Sequence, residues 1–147
     1  GKPEVKQRIR QKQREIAMAS TLDAISEADV IVTNPSHFAV ALSYAVGTDE
    51  APKVVAKGAD FMAKKIRERA EESGIIIFEQ PQLARALYFT TEINHDIPRA
   101  LFEAVAEVIA YVFKLNSFNG YGKRAKKPNL KIPSEMNFDE SGKKLDE

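Results

Sequence analysis

Four consecutive residues, Asn34-Pro35-Ser36-His37, place an amide, a hydroxyl and an imidazole side by side in what the residue types indicate is a turn. Asparagine usually deamidates when the backbone nitrogen of the next residue attacks its side chain. Pro35 has no N–H, so this route is closed at Asn34. The side-chain nitrogen of Asn34 can still attack its own main-chain carbonyl carbon. That attack would form a succinimide and break the Asn34–Pro35 bond.

A fold can lower the barrier to this reaction in three ways. It can hold the nitrogen and the carbonyl in near-attack geometry, supply a base such as His37 near neutral pH, or strain the turn so that the amide loses resonance. An ordinary turn accounts for the same four residues, because Asn and Pro favour turns for conformational reasons. From the residues alone, both interpretations stay open.

Other chemistry has little support in the sequence. The chain has no cysteine and two histidines, His37 and His95, and no phosphate-binding glycine motif occurs. We therefore expect no metal site and no cofactor, and His95 is assigned to a loop or cap. Ser36 and His37 cannot pair as nucleophile and base, because adjacent side chains in an extended chain point to opposite faces.

Apolar runs around the turn predict the elements that would hold it. Strands are predicted at 29–34, 37–44, 53–58 and 75–79, and helices at 59–73, 81–92 and 98–115. The first two strands are close enough to be antiparallel neighbours, whereas the last two, joined by a helix, suggest a right-handed βαβ unit. The predicted fold class is α/β (α+β), a single domain with a central mixed four-stranded sheet surrounded by about four helices.

The charges divide the chain into three parts. Residues 1–16 carry six Lys or Arg and two Glu, residues 17–113 have an excess of acidic residues, and residues 114–131 carry six basic and no acidic residues. We expect a basic helical linker at 1–25, a globular domain at 26–116 and a disordered tail at 117–147.

The basic arm leaves two alternatives open: contact with an anionic membrane surface, or an ordinary solvated helix. No apolar run approaches the roughly 20 residues of a membrane span, so we expect this piece to be soluble. We expect no nucleic-acid partner, because the body is acidic and no stacking pattern of basic and aromatic residues occurs.

The segment ADVIVTNPSHFAVALSY, residues 28–44, resembles the self-cleaving segment of the FlhB/YscU family, the substrate-specificity switch proteins of type III secretion. The resemblance continues through APKVVAKGAD, IRERAEESG, PQLARALY and IPRALFEAVAEVIAYV and covers roughly residues 4–115. The leading PEVKQRIRQKQRE and the trailing AVAEVIAYVFKL look more like the flagellar branch than the injectisome branch.

The resemblance implies the cytoplasmic domain of a multi-pass protein of the bacterial inner membrane, with four transmembrane helices upstream. It implies cleavage between the Asn and Pro of an Asn-Pro-Thr-His motif, here Asn34 to His37, as a single intramolecular event without external turnover. The implied role is to switch export from rod and hook proteins to filament proteins. The implied partners are export-gate proteins, the hook-length control protein, export substrates and chaperones.

Within this resemblance Asn34 is the nucleophile, Pro35 the leaving residue and His37 the base or proton relay, while Ser36 is positional. Ser36 departs from the family, which usually has Thr there: it keeps the hydroxyl but loses the β-branch that stiffens χ1. The alternative function is therefore a docking module for export substrates, chaperones or the export gate, in which Ser36 has slowed or disabled cleavage.

Overall fold

The sheet has four strands, and its first two are joined by the candidate turn. A computed structural model describes residues 2–45, 47–117 and 126–145. The strands are β1 (Val30–Asn34), β2 (Phe38–Ser43), β3 (Lys53–Ala59) and β4 (Ile76–Glu79). Their order is β3-β2-β1-β4, with β1–β2 and β2–β3 antiparallel and β1–β4 parallel. The predicted mixed four-stranded sheet is confirmed.

Helices flank the sheet. They are α1 (Pro3–Asp23), α2 (Phe61–Glu72), α3 (Pro81–Thr90) and α4 (Phe102–Ser117), and short 3₁₀ turns occupy Ala24–Glu27, Arg99–Leu101 and Ser134–Met136. The predicted fold class, an α/β (α+β) single domain, is thereby confirmed.

Local signals explain where several helices begin and end. Pro81 is the first residue of α3, where its missing N–H costs nothing. The side chain of Gln80 accepts a hydrogen bond from the N–H of Gln82 and so caps this helix. Gly74 follows α2 with a φ of 71°, a conformation that glycine adopts without strain after the end of a helix. Pro98 precedes a 3₁₀ turn, so α4 begins at Phe102, later than predicted.

β1 is buried along its whole length and separates two apolar cores. Val30 and Val32 face the core formed with α3 and α4, whereas Ile31 faces the core formed with α2. This alternation follows from the pleat, which sends successive side chains to opposite faces. The turn therefore begins at the end of a strand that is buried and paired on both sides.

The connection between β3 and β4 differs from a compact βαβ unit of adjacent strands. β3 lies at one edge of the sheet and β4 at the other, with β2 and β1 between them. The two strands run in the same direction, since β3 and β4 are each parallel to β1 by the observed pairings. β4 pairs with the free edge of β1, so that β1 is an inner strand with partners on both sides.

The structure also differs from the expectation of a disordered tail at 117–147. Leu130, Ile132 and Met136 pack against the larger core, and Phe138 is only 7% exposed. The composition indicated disorder because the segment is rich in Gly, Lys and Pro, yet these few apolar side chains pack against the larger core, with Phe138 beside Phe89 of α3. The part of this prediction that concerns residues 118–125, 146 and 147 lies outside the described residues.

α1 makes few contacts with the body. None of its residues is buried, and Val5, Ile9 and Ile16 are half or more exposed. The linker at 1–25 and the domain boundary at 26 stay predictions. Within the described ranges no helix combines the length and the apolar character needed to cross a membrane.

Candidate functional site

The candidate turn is closed by a backbone hydrogen bond. The N–H of His37 donates to the carbonyl oxygen of Asn34 at 2.9 Å. Pro35 in the second position and a φ of 70° at Ser36 in the third are the features of a type II turn. The carbonyl that Asn34 would attack is therefore the one that the turn polarises.

Ser36 holds a backbone conformation that is unfavourable for its residue type. The third position of a type II turn favours Gly or Asn, because a side chain at positive φ crowds the backbone. Such a residue stores on the order of 1–3 kcal/mol of strain. The strain lies one residue beyond the Asn34–Pro35 bond, and both Pro35 and Ser36 are exposed.

Asn34 is the last residue of β1 and is only 5% exposed. It lies opposite Phe38 in the antiparallel ladder. The preceding residue, Thr33, accepts a hydrogen bond from the N–H of Gln80 at 3.0 Å, so the strand is held from both sides up to the turn. These bonds fix the position of the Asn34 backbone, which a reaction at its carbonyl carbon requires.

The side-chain nitrogen of Asn34 is buried and has no hydrogen-bond partner among the described residues. An unpaired buried donor costs roughly 1–3 kcal/mol, so folded proteins rarely leave one. A structural asparagine would be expected to satisfy this group. Among the described residues, no hydrogen bond would have to break before this nitrogen could attack a carbonyl carbon.

The imidazole of His37 lies between two carboxylates and is about half exposed. Nε2 lies 3.2 Å from Oε2 of Glu140, and Nδ1 lies 3.9 Å from Oδ1 of Asp60. The main chain of Asp60 also donates its N–H to the carbonyl oxygen of His37 at 2.9 Å. His37 is therefore anchored through its backbone and oriented through its ring.

The structure brings only part of the predicted site into direct contact. Asn34 and His37 meet through the backbone bond of the turn, and no hydrogen bond among the described residues joins the side chain of Asn34 to that of Ser36 or His37. His95 is exposed in the loop before the second 3₁₀ turn.

Sequence reasoning missed both acidic neighbours of His37. Asp60 directly follows β3, and the pairing of Phe38 with Ala59 places it beside His37, so knowledge of the strand register would have found it. Glu140 lies far along the chain, and no local signal links it to the turn. In the described part of the chain, no cluster of three or more potential metal ligands occurs.

A groove on another side of the molecule was also missed. It lies between the loop before β3 and one face of α4, encloses about 940 Å³, and is lined by residues that include Pro52, Phe102, Ile109 and Phe113. Phe102 and Phe113 are 40% and 36% exposed. Lys53 and Asp96 form an ion pair at the groove, and this hydrogen bond raises the pKa of Lys53.

Comparison with known families gives a match to the family described as the FlhB HrpN YscU SpaS Family over residues 1–112. The flagellar biosynthetic protein FlhB of Salmonella typhimurium is 46% identical over 140 residues, which is 94% of this chain and 37% of the relative. FlhB of Bacillus subtilis is 46% identical over 114 residues, 78% of this chain and 32% of the relative. The chain thus spans about a third of the length of these relatives.

Solved structures show the same fold. The cytoplasmic domain of FlhB from Shewanella putrefaciens matches with a TM-score of 0.77 and 44% identity, covering 82% of this chain and 95% of that one. A mutated EscU C-terminal domain matches with a TM-score of 0.61 and 34% identity, covering 64% of this chain and 94% of that one.

Proposed function

This chain belongs to the FlhB HrpN YscU SpaS family, and on that premise we propose that it is the cytoplasmic part of a flagellar type III export component that cleaves its own backbone between Asn34 and Pro35. One observation carries the proposal: the buried side-chain nitrogen of Asn34 lacks a partner within the described structure, in a turn that polarises the Asn34 carbonyl.

The reaction begins when Nδ2 of Asn34 attacks the main-chain carbonyl carbon of the same residue. A bond forms between Nδ2 and that carbon, and a five-membered ring results. The oxygen gains negative charge in the intermediate, and the N–H of His37 already donates to it. A donor that is in place before the reaction stabilises this charge without reorganisation.

The bond from the Asn34 carbonyl carbon to the nitrogen of Pro35 then breaks. The proton that Nδ2 loses passes to the Pro35 nitrogen, which leaves as a secondary amine, with His37 as base and relay. Water later opens the succinimide. The atoms balance with water as the only added reactant, which agrees with a single event that needs no cofactor.

The direct test uses Asn34→Ala, with Asn129→Ala at an exposed asparagine of the tail as the matched control. The parent and the control should yield fragments 1–34 and 35–147 on denaturing electrophoresis and mass spectrometry. Asn34→Ala should give one full-length band, because the attacking nitrogen is gone. Cleavage of Asn34→Ala to the same fragments would refute the mechanism.

At the level of the cell, the proposed role is to help switch export from rod and hook proteins to filament proteins, at the cytoplasmic face of the inner membrane. Partners would be export-gate proteins, the hook-length control protein, export substrates and chaperones. Asn34→Ala in the full-length protein should leave hook-type proteins in the culture medium and reduce filament protein. An unchanged pattern of secreted proteins would contradict this role.

The groove beside α4 favours a second candidate function, a docking module that does not cleave itself. Exposed aromatic side chains in a concave site favour the binding of apolar segments, here of an export substrate. Phe102→Asp should then reduce retention of export substrates by the purified domain, whereas Phe61→Asp, at an aromatic residue that is 58% exposed elsewhere, should not. A parent protein that remains one full-length band would favour docking over cleavage.

A further inference from the structure

The C-terminal residues 137–145 form a tight hairpin, called here the tail hairpin. The N–H of Asp139 donates to the carbonyl of Lys143 at 2.9 Å, and the N–H of Leu145 donates to the carbonyl of Asn137 at 2.9 Å. The carboxylate of Asp139 accepts from the N–H and hydroxyl of Ser141 and from the N–H of Lys143. The bonds from Ser141 and Lys143 lower the pKa of Asp139.

α3 holds this hairpin in place. Nε of Arg85 donates to the carbonyl of Phe138 at 2.6 Å, and the buried ring of Phe138 lies 6.0 Å from that of Phe89. Gly142 lies so close to Phe89 that a Cβ at this position would be 2.7 Å from the Phe89 ring. The hairpin is thus docked by one apolar anchor, one hydrogen bond and one close approach.

The same surface of α3 supports the candidate turn. The ring of Phe38, the residue after His37, lies 5.3 Å from Phe89 and 4.5 Å from Tyr88. Phe89 therefore contacts both segments. As a result Glu140, at the tip of the hairpin, meets the imidazole of His37 at 3.2 Å although the two residues are far apart in sequence.

We propose that the tail hairpin is part of the cleavage site and that Glu140 is a positioning residue, which holds the His37 ring with its proton on Nε2. The inference rests on the proposed self-cleavage. A neutral imidazole carries one N–H, and an ionised carboxylate only accepts hydrogen bonds, so the negative charge 3.2 Å from Nε2 favours the tautomer protonated there.

This choice leaves the lone pair of the base on Nδ1. At 3.9 Å the carboxylate of Asp60 is beyond hydrogen-bond distance from Nδ1 and does not compete for the tautomer. Nδ1 is then the nitrogen that accepts the proton from Nδ2 of Asn34 and passes it to Pro35. Glu140 acts only through His37, because carboxylates that orient an imidazole set its tautomer and direction.

The first test does not depend on cleavage. The full chain with Asn34→Ala, labelled with ¹⁵N, allows the ring nitrogens of His37 to be assigned at about pH 8, where imidazole is neutral, and the exposed His95 serves as an internal reference. Glu140→Ala should shift His37 towards the tautomer mixture of His95. Glu135→Ala, at an exposed glutamate of the same tail, should leave it unchanged.

The second test follows cleavage of newly made chains that retain Asn34, during cell-free synthesis stopped with denaturant. Glu140→Ala should slow cleavage about tenfold, the lower end of the effect of losing an orienting carboxylate. Glu140→Gln should rescue part of the rate, since its side-chain oxygen still accepts from Nε2–H. Glu135→Ala should cleave at the parent rate.

A third variant tests whether docking of the tail hairpin on α3 is needed to place the Glu140 carboxylate beside His37. Phe138→Ala keeps Glu140 but removes the anchor, so it should reproduce both effects of Glu140→Ala while the amide spectrum of the sheet is retained. An unchanged ratio of His37 tautomers in Glu140→Ala would overturn the inference, as would a shifted ratio with an unchanged cleavage rate. A parent that never cleaves would instead refute the proposed function, whatever the tautomer data show.

Discussion

At the scale of single residues, burial and strain concentrate around one peptide bond. Asn34 is buried with an unpaired nitrogen among the described residues, and two positions later Ser36 holds a φ of 70°. Both features cost stability in the intact protein, by amounts on the order of 1–3 kcal/mol each. Cleavage of the Asn34–Pro35 bond would release the strain at Ser36, because Pro35 would then begin a new chain and the turn would no longer be closed.

The residue at position 36 should therefore control the cleavage rate. Ser36→Thr places a β-branched side chain at positive φ, where it is more strained than serine, so we expect cleavage as fast as the parent or up to about fivefold faster for 1 kcal/mol of added strain. Ser36→Gly removes the strain and should cleave more slowly. Rates come from the decay of full-length chain on denaturing gels. The opposite order, with Gly fastest and Thr slowest, would show that strain at Ser36 does not drive the reaction.

At the scale of elements, the sheet and the tail hairpin act on opposite sides of the turn. β1 is an inner strand, so its end cannot shift without breaking pairs to both β2 and β4. The tail hairpin is held by fewer contacts, centred on Phe89. The sheet thus holds Asn34 through strand pairing, whereas the tail hairpin reaches His37 through side-chain contacts with α3.

The ring of Phe89 lies so close to Gly142 that an alanine at position 142 can test the docking of the tail hairpin. Gly142 and Gly74 have positive φ, but only at Gly142 would a Cβ meet another residue within 4 Å. Both alanine variants lose stability through backbone strain, and Gly142→Ala should lose about 1 kcal/mol more, through collision with Phe89. Urea unfolding measures both changes. Equal losses in the two variants would show that the hairpin does not depend on this contact.

α1 should exchange its amide protons unevenly. Its residues 3–16 bury no side chain, and isolated helices of this length are marginal in water, so fast exchange is expected there. Leu22 packs against the core near α2, so protection should begin near the end of the helix. Hydrogen exchange of the monomer by mass spectrometry gives the profile. Strong protection across residues 3–16 would contradict the linker prediction.

At the scale of the whole molecule, a cut after Asn34 divides the sheet but leaves its pairing intact. β1 would belong to one fragment, while β2 and β4 on its two sides would belong to the other. Apolar side chains of β1 reach both cores, and the new carboxyl end, Asn34, is the last paired residue of β1, opposite Phe38. The change would be confined to the surface around residues 34–38, including the contact of His37 with Glu140.

The two fragments should accordingly stay together. Val30, Ile31 and Val32 are completely buried, and each contributes about 1.5–3 kcal/mol by burial, in addition to the ladder hydrogen bonds. A cleaved sample should show two bands under denaturing conditions and one peak on native size exclusion. Two native peaks at neutral pH without denaturant would mean that β1 does not hold the pieces together.

The sequence by itself determined the order of strands and helices, the turn at Asn34-Pro35 and the residue types for its chemistry. These features depend on short-range rules: apolar periodicity, the fixed φ of proline and the turn preference of asparagine. Each strand bound shifts by at most one residue between expectation and structure, because polar residues such as Asn34, His37 and Lys53 bound the apolar runs.

Only the tertiary structure decided which distant residues meet the turn. The pairing of β4 with β1, the groove beside α4, and the placement of Asp60 and Glu140 at His37 all depend on packing between segments that no local pattern links. The tail shows the physical reason most clearly. Its composition indicates disorder, yet Phe138 finds a complementary apolar surface at Phe89, and a pocket of that shape exists only once α3 has packed on the sheet.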